Sequence, residues 1–234
     1  SLYGPQDDAN FVGLLSRAGN VVVASAAGEW QKKGTEPASD VAQRSTSRIL
    51  YGNAAATVAS DGVLRQYPMT LGSDGGGNSG SHEVLPSLGV AALLKAGVAG
   101  IAGVADLKGA NKGSLAYIKF RGKSPSFKAY NAAEILASAI QFNTGGRPQI
   151  SLQDFAGKLV FIGYSAPGLL DRQAVPVDAA MPGAEIHASF ADAYLNGHLA
   201  WPLATWIDLL IAGILGLVAV SYAETARKPY ALAF

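Results

Sequence analysis

The sequence predicts an α/β protein, in which a mixed sheet flanked by helices is followed by a transmembrane α-helix. Short runs rich in β-branched residues, typical of buried strands, alternate with longer amphipathic stretches, typical of helices. The last run, Leu203–Ala223, is almost unbroken apolar sequence with about the 20 residues that a helix needs to cross a bilayer. We therefore expect an α/β domain over 1–201 and a transmembrane helix over 203–223. Residues 224–234 would form a cytoplasmic turn and the start of a second transmembrane helix.

The composition excludes several functional classes. The 234 residues carry a formal net charge of +1, which argues against a nucleic-acid surface or an acidic substrate. Charged residues make up 15% and hydrophobic residues 49%, an imbalance that indicates burial in lipid as well as in a core. The absence of cysteine excludes disulfides, thiol chemistry and cysteine-ligated metals. The chain starts without Met or a signal sequence, so we interpret it as a piece of a longer protein or a processed product.

The first elements are a helix and a buried strand. The stretch 7–20 predicts a helix that Asp7 or Asp8 caps and that ends at Gly19. The apolar side chains that share its face are Phe11, Leu14, Leu15 and Ala18. The β-branched run 20–28 predicts a strand, and the polar stretch 31–47 predicts a loop.

The middle of the chain predicts a hairpin and further helices and strands. Two strands within 54–71 would join at a tight turn, Asp61–Gly62, because Gly accepts positive φ. The run 74–80 predicts a flexible loop. The remaining patterns predict helices at 83–97, 131–146 and 182–197 and strands at 113–122 and 158–165. The second of these helices would direct Ile135, Leu136 and Ile140 inward.

The final apolar run has the features of a membrane span. Trp201 and Trp206 lie at one end and Tyr222 at the other, as interfacial anchors do. Asp208 lies about one turn into the run, within reach of the headgroups. The alternative is a buried core helix. Basic residues after a span favour the cytoplasmic side, so the "ARKP" that follows predicts that the preceding domain faces outward.

Known catalytic motifs fail at specific positions. The run Gly122–Ser124 ends like a P-loop, but Tyr117 stands where the first glycine belongs. The run Gly163–Pro167 resembles a nucleophile elbow around Ser165, but its last glycine is Pro167. The sequence therefore predicts neither nucleotide binding nor hydrolase chemistry at these places.

Histidines and carboxylates give no clear metal or acid–base site. His187 and His198 are eleven residues apart, too far along a helix to share one ion, so we interpret them as hydrogen-bonded polar residues. We interpret Asp171, Asp178 and Glu185 as residues that fix turns and caps. We expect no catalytic residues, no metal ion and no cofactor.

A ligand site is predicted where strand ends meet loops, since open α/β sheets bind there. Four residues, which we call the rim residues, lie at such a junction: Tyr164, Ser165, Asp171 and Arg172. Arg65 is a candidate anion contact, and the alternative for it is a surface charge or a salt bridge to an Asp.

Several stretches, in order, resemble one family. "SDGVLRQYP" (60–68) is similar to its Asp-Gly-hydrophobic-x-Arg signature, and "GKLVFIGYSAPGLLD" (157–171) resembles its most distinctive block. "PGAEIHA" (182–188) resembles the start of its closing helix. The family is the type-2 CHASE domain, an extracytoplasmic sensory domain associated with cyclases and histidine kinases, and the resemblance covers about 7–201.

The resemblance implies an extracytoplasmic α/β sensor followed by its first transmembrane helix, with the N-terminal section of the family domain missing from 1–201. We expect a membrane-anchored sensor module of a bacterial signal-transduction receptor, whose cyclase or kinase output lies elsewhere. The alternative is a non-catalytic accessory subunit of a larger membrane complex. The expected location is the bacterial inner membrane, with the main domain on the periplasmic side. The expected partners are the lipid bilayer, other membrane subunits or a second copy, and an unidentified small ligand, with no nucleic acid.

Overall fold

The computed structural model describes residues 5–25, 50–55, 58–72, 84–101, 115–164, 171–202 and 205–227. Within these ranges helices are mixed with small sheets of both parallel and antiparallel strands, which confirms the predicted α/β class. The chain divides into two units, Ser1–Ala200 and Trp201–Phe234.

The described helices begin and end where turn-forming residues lie. Asn131 caps one helix by accepting a hydrogen bond from the Ala133 N–H at 2.9 Å. Gly197 follows another helix with φ of 67°, a conformation that few residues other than Gly adopt. The helices are α1 Pro5–Ala18, α2 Leu88–Lys95, α3 Ala132–Asn143, α4 Gly183–Leu195 and α5 Thr205–Arg227, with a 3-10 turn at Leu152–Phe155.

The strands of the described part form four two-stranded sheets. They are β1 Val22–Ser25, β2 Leu50–Asn53, β3 Gln66–Pro68, β4 Thr70–Gly72, β5 Val84–Pro86, β6 Leu115–Tyr117, β7 Arg172–Val175 and β8 Asp178–Pro182. β1 pairs with β2 in parallel, whereas β3–β6, β4–β5 and β7–β8 are antiparallel. Isolated bridges join Asn53 to Ser87, Val63 to Ala174 and Tyr117 to Ala200. These bridges continue the small sheets from one to the next.

The core of the first unit forms where α2 and α4 pack over β3 and β6. One face of α4 is apolar and buried, because Ile186, Phe190 and Ala193 recur at helical spacing. The other buried members of this cluster include Leu64, Tyr67, Met69, Val90, Leu93, Ile101, Ala116 and Met181. Burial of such side chains contributes roughly 1.5–3 kcal/mol each to stability.

The predicted strand at 158–165 is wrong for the part that the structure describes, 158–164, which belongs to no strand. Leu159 and Phe161 pack against the core, while Val160 is 52% exposed and Ile162 91% exposed. The side chains thus alternate as in a strand, but a strand also needs a neighbour to pair with. None of the described segments supplies one here.

The start of one predicted helix also differs from prediction. The predicted helix at 83–97 begins only at Leu88, because its first residues form β5 opposite β4. The Ser87 hydroxyl donates to the Pro68 carbonyl and the Ser87 N–H donates to the Met69 carbonyl, which fixes the strand-to-helix transition.

The tight turn at Asp61–Gly62 is confirmed, with Gly62 at φ of 80°. The flanking segments do not form the predicted hairpin, since β2 pairs with β1 and β3 with β6.

The predicted cap of α1 and the predicted inward face of α3 are also wrong. α1 begins at Pro5, so Asp7 and Asp8 lie inside the helix instead of capping it. In α3, Leu136 is 63% exposed and Ile140 56% exposed, whereas Ser138 is buried and its hydroxyl accepts the Ile150 N–H. The buried side of α3 therefore includes a polar contact that the apolar pattern does not show. The predicted loops at 31–47 and 74–80 lie outside the described residues.

The second unit contains α5, a helix of 23 residues. Its stretch Trp206–Thr225 has a mean hydropathy of 2.0, and no part of it is buried. By length and composition this helix can cross a membrane.

Gly89 in α2 gives a direct test of the core packing. A methyl group there would lie 2.6 Å from a ring carbon of Phe190 and 3.0 Å from the Tyr67 hydroxyl. We expect Gly89→Ala to cost about 1–3 kcal/mol by overpacking, which outweighs the gain of about 1 kcal/mol in helix propensity. Unfolding of the detergent-solubilised chain measures the change.

Gly13→Ala in α1 is the matched control. No atom lies within 4 Å of the added methyl group, so this variant should be neutral or more stable. Equal effects of the two substitutions would contradict the close packing of α2 on α4.

Candidate functional site

The rim residues that the structure describes lie beside the first turn of α4. Arg172 pairs with Pro182 in the β7–β8 ladder, and the Asp171 carbonyl accepts the Gly183 N–H at 3.0 Å. A methyl group on Gly163 would lie 2.6 Å from the Ala184 side chain, so the segment before Tyr164 also contacts this turn. Tyr164 itself is 71% exposed, and Ser165 lies outside the described residues.

Asp171 lies tightly against the start of α4. A side chain on Gly183 would overlap the Asp171 carboxylate, which explains why glycine follows Pro182. Partial burial raises the pKa of this carboxyl. The neighbouring Arg172 has a buried Nε atom without a hydrogen-bond partner among the described residues. Asp171 therefore holds the chain against α4 through its backbone.

Arg65 lies in a different place and pairs with Asp61, not with the rim residues. Its guanidinium contacts the Asp61 carboxylate at 2.8 and 3.0 Å, and both side chains are about half exposed. The hydrogen bond from Arg65 holds the pKa of Asp61 below its usual range. The structure thus shows the alternative that the sequence allowed for Arg65, a surface salt bridge to an Asp.

Asp178 and Glu185 fix the loop before α3. Asp178 accepts hydrogen bonds from the Ser124 and Ala180 N–H groups, both at 2.9 Å. Glu185 accepts the Ser126 N–H at 2.6 Å and the Ser124 hydroxyl at 2.5 Å. Burial alone would raise the pKa of Glu185, but these hydrogen bonds outweigh it and hold the pKa below its usual range. The predicted turn-fixing role is confirmed for Asp178, whereas Glu185 fixes a loop that is distant in the sequence.

The best-defined polar cluster is buried, and sequence reasoning missed it. The Tyr67 hydroxyl lies 2.5 Å from Nδ1 of His187 and accepts the Gly89 N–H at 2.9 Å. The Tyr67 ring stacks on Phe190 with the ring centroids 4.1 Å apart. One side chain of β3 thereby contacts both α2 and α4.

These contacts determine the tautomer of His187. Because the Tyr67 hydroxyl accepts from Gly89 and keeps its own proton, we assign it as the donor to an unprotonated Nδ1. In this assignment the ring proton is on Nε2, and His187 also forms a hydrogen bond with the Ala54 backbone. Burial lowers the pKa of His187 to about 4, because a charged ring would lose its hydration. His187 is thus a neutral core histidine; its hydrogen bonding was predicted, whereas its place in the core was not.

The buried position of His187 limits what this side chain can do. His187 is only 5% exposed, and the Tyr67 hydroxyl contacts its Nδ1, so this ring is closed to a bound substrate. Among the described residues, no three His, Asp or Glu side chains lie close enough to hold one metal ion. The arrangement fixes three elements around a polar contact and leaves Gly163, Tyr164 and Asp171 exposed.

One sequence signal pointed to this cluster. His187 lies at the centre of the apolar face of α4, between Ile186 and Phe190, where an unpaired polar ring would be costly. Its partner Tyr67 lies 120 residues away in the chain, so no local pattern identifies the pair.

Comparison with known proteins agrees with this architecture. The family model of the CHASE2 domain matches residues 3–221, so the chain belongs to the CHASE2 family. CHASE2 domains are extracytoplasmic sensory domains found in signal-transduction receptors. The match is longer than the resemblance traced over 7–201, since it includes most of α5. No curated protein and no solved structure matches the chain significantly.

His187 predicts an acid-sensitive fold. Its pKa in the folded state, about 4, lies below the unfolded value of 6.5, so protons favour the unfolded chain. Stability is fully present above pH 6.5 and is lost as the pH falls toward 4. Between about pH 7 and pH 5, before most carboxylates titrate, we expect a loss of about 2 kcal/mol in the free energy of unfolding.

His187→Gln should remove this pH dependence, because a neutral amide can accept from Tyr67 but does not titrate. His198→Gln, at an exposed histidine, is the control and should keep the wild-type slope. Denaturant titrations at several pH values measure all three proteins. The same slope in the wild type and in His187→Gln would contradict the assignment.

Proposed function

We propose that this chain is the sensory module of a membrane-anchored bacterial receptor whose output domain lies outside these 234 residues. The observation that carries the proposal is the extent of the CHASE2 match. Residues 3–221 include both the α/β unit and most of the apolar stretch Trp206–Thr225. Because one family match covers the α/β unit and most of the apolar stretch, it supports a single module that both senses and attaches to the membrane.

The ends of α5 support an orientation in the bilayer. Trp206 and Tyr222 are exposed near its two ends, at the depth where aromatic side chains favour the interface. Arg227 and Lys228 come next in the sequence and favour the cytoplasmic side. The α/β unit then faces the periplasm from the bacterial inner membrane. Its partners are the lipid bilayer and either a second copy or other membrane subunits.

In this proposal the module binds a small ligand and performs no catalysis of its own. The residues near α4 hold loops and strand ends in place, and His187, the one buried histidine in the described part of the chain, is closed to substrate. A ligand that binds one conformation of the α/β unit better than another shifts the population toward it. The chain leaves this unit at Ala200, whose backbone pairs with Tyr117, so changes at β6 are near the exit to α5.

The orientation can be tested with single cysteines, because the chain has none of its own. Ser60→Cys lies in an exposed turn of the α/β unit, and Lys228→Cys follows α5 in the sequence. In the native gene product, with any cysteine outside these 234 residues replaced by serine, a membrane-impermeant maleimide should label Ser60→Cys in spheroplasts and Lys228→Cys only after lysis. Release of the protein by a carbonate wash, or the opposite labelling pattern, would contradict the proposal.

The mass of the native polypeptide separates a receptor from the accessory subunit that the sequence left open. A receptor requires an output domain, so its mass must be far above that of these 234 residues. A native polypeptide close to that mass would favour the accessory subunit.

A further inference from the structure

We infer that a shallow groove beside Arg65 binds a small organic carboxylate. The groove is lined by Val58, Ala59, Arg65, Gln66 and Tyr117 and has a volume of about 180 Å³. Typical drug-sized sites are larger, at about 300–1,000 Å³, whereas a cavity of about 150 Å³ accommodates a benzene ring. The size therefore limits the ligand to about one ring or a short branched chain.

The lining combines apolar and polar groups on one surface. Val58 is 39% exposed and Tyr117 41% exposed, so both present apolar area to solvent at the groove. Arg65 and Gln66, whose side chains carry hydrogen-bond donors, complete the lining. Such a site is complementary to a molecule with an apolar body and one carboxylate, because guanidinium groups bind carboxylates in a bidentate geometry.

The ion pair of Arg65 leaves it available for a ligand. Its partner Asp61 is only four residues away, and the two side chains are 44% and 50% exposed. Surface ion pairs of this kind contribute little, so a ligand carboxylate can compete with Asp61. A guanidinium also has five N–H donors, more than one carboxylate uses.

The position of the groove connects it to the end of the α/β unit. Gln66 and Tyr117 are directly opposite each other in the β3–β6 ladder. The Tyr117 N–H donates to the Ala200 carbonyl at 2.7 Å, and the Ala200 N–H donates to the Tyr117 carbonyl at 3.2 Å. A ligand over the Gln66–Tyr117 pair stabilises the backbone contacts that hold Ala200, the last residue of this unit. This coupling rests on the proposed receptor function, whereas binding itself does not.

The test is calorimetric titration of the full chain in detergent micelles with benzoate, with benzamide as the neutral analogue. Wild type should bind benzoate saturably and benzamide about three- to fivefold more weakly. Arg65→Gln should weaken benzoate binding by a similar factor, about three- to fivefold. Asp61→Asn should tighten it about threefold, because it removes the competing charge, and the asparagine oxygen can still accept the Val63 N–H.

Arg121→Gln is the matched control, because Arg121 also forms a surface ion pair, with Asp192, but does not line the groove. It should leave the affinity unchanged. Benzoate should also slow hydrogen exchange at the Ala200 amide in the wild type but not in Arg65→Gln. Absence of saturable binding, or equal affinities in wild type, Arg65→Gln and Asp61→Asn, would overturn the site.

Binding without slower exchange at Ala200 would overturn the coupling alone. The labelling experiment on Ser60→Cys and Lys228→Cys uses no ligand, so a wrong orientation of the receptor and a wrong binding site give separate results.

Discussion

The Tyr67 hydroxyl determines how the elements of the α/β unit meet. It accepts the Gly89 N–H of α2 and donates to His187 of α4, while its ring stacks on Phe190. A buried hydroxyl that lost either partner would cost about 1–3 kcal/mol, so β3, α2 and α4 must keep their mutual positions. Burial also raises the pKa of Tyr67, which keeps the hydroxyl protonated and able to donate.

This fixed centre contrasts with the exposed edges around it. β3 pairs with β6, and β6 pairs with Ala200 at the end of the unit. α4 begins beside Asp171 and Gly163. Because Tyr67 lies on β3 and contacts α4, both regions connect to the same buried contact. A sensory domain needs such a rigid frame, because a ligand-induced shift at an edge is transmitted only if the interior does not absorb it. Charge plays a smaller part, since the ion pair of Arg65 with Asp61 is largely exposed to solvent.

Local patterns in the sequence predicted α4 and α5 well, because Pro182, Gly197 and long apolar periodicities act within a few residues. Local patterns failed where the structure of a segment depends on residues that are distant in the sequence. The segment 158–164 has the alternation of a strand but no pairing neighbour among the described residues. The buried side of α3 includes the contact of Ser138 with Ile150, which no apolar pattern shows. The rim residues, chosen where a strand end meets a loop, stay a prediction as a ligand site, and the Tyr67–His187 pair, 120 residues apart, was not predicted.

The state of His187 tests the central claim most directly. Nitrogen NMR of the isotope-labelled chain distinguishes Nδ1 from Nε2, and comparison with His187→Gln assigns the signal. The contact with Tyr67 predicts a neutral ring with its proton on Nε2 that persists from about pH 7 to pH 5. A ring that carries its proton on Nδ1, or that becomes charged near its ordinary pKa of 6.5, would contradict the account.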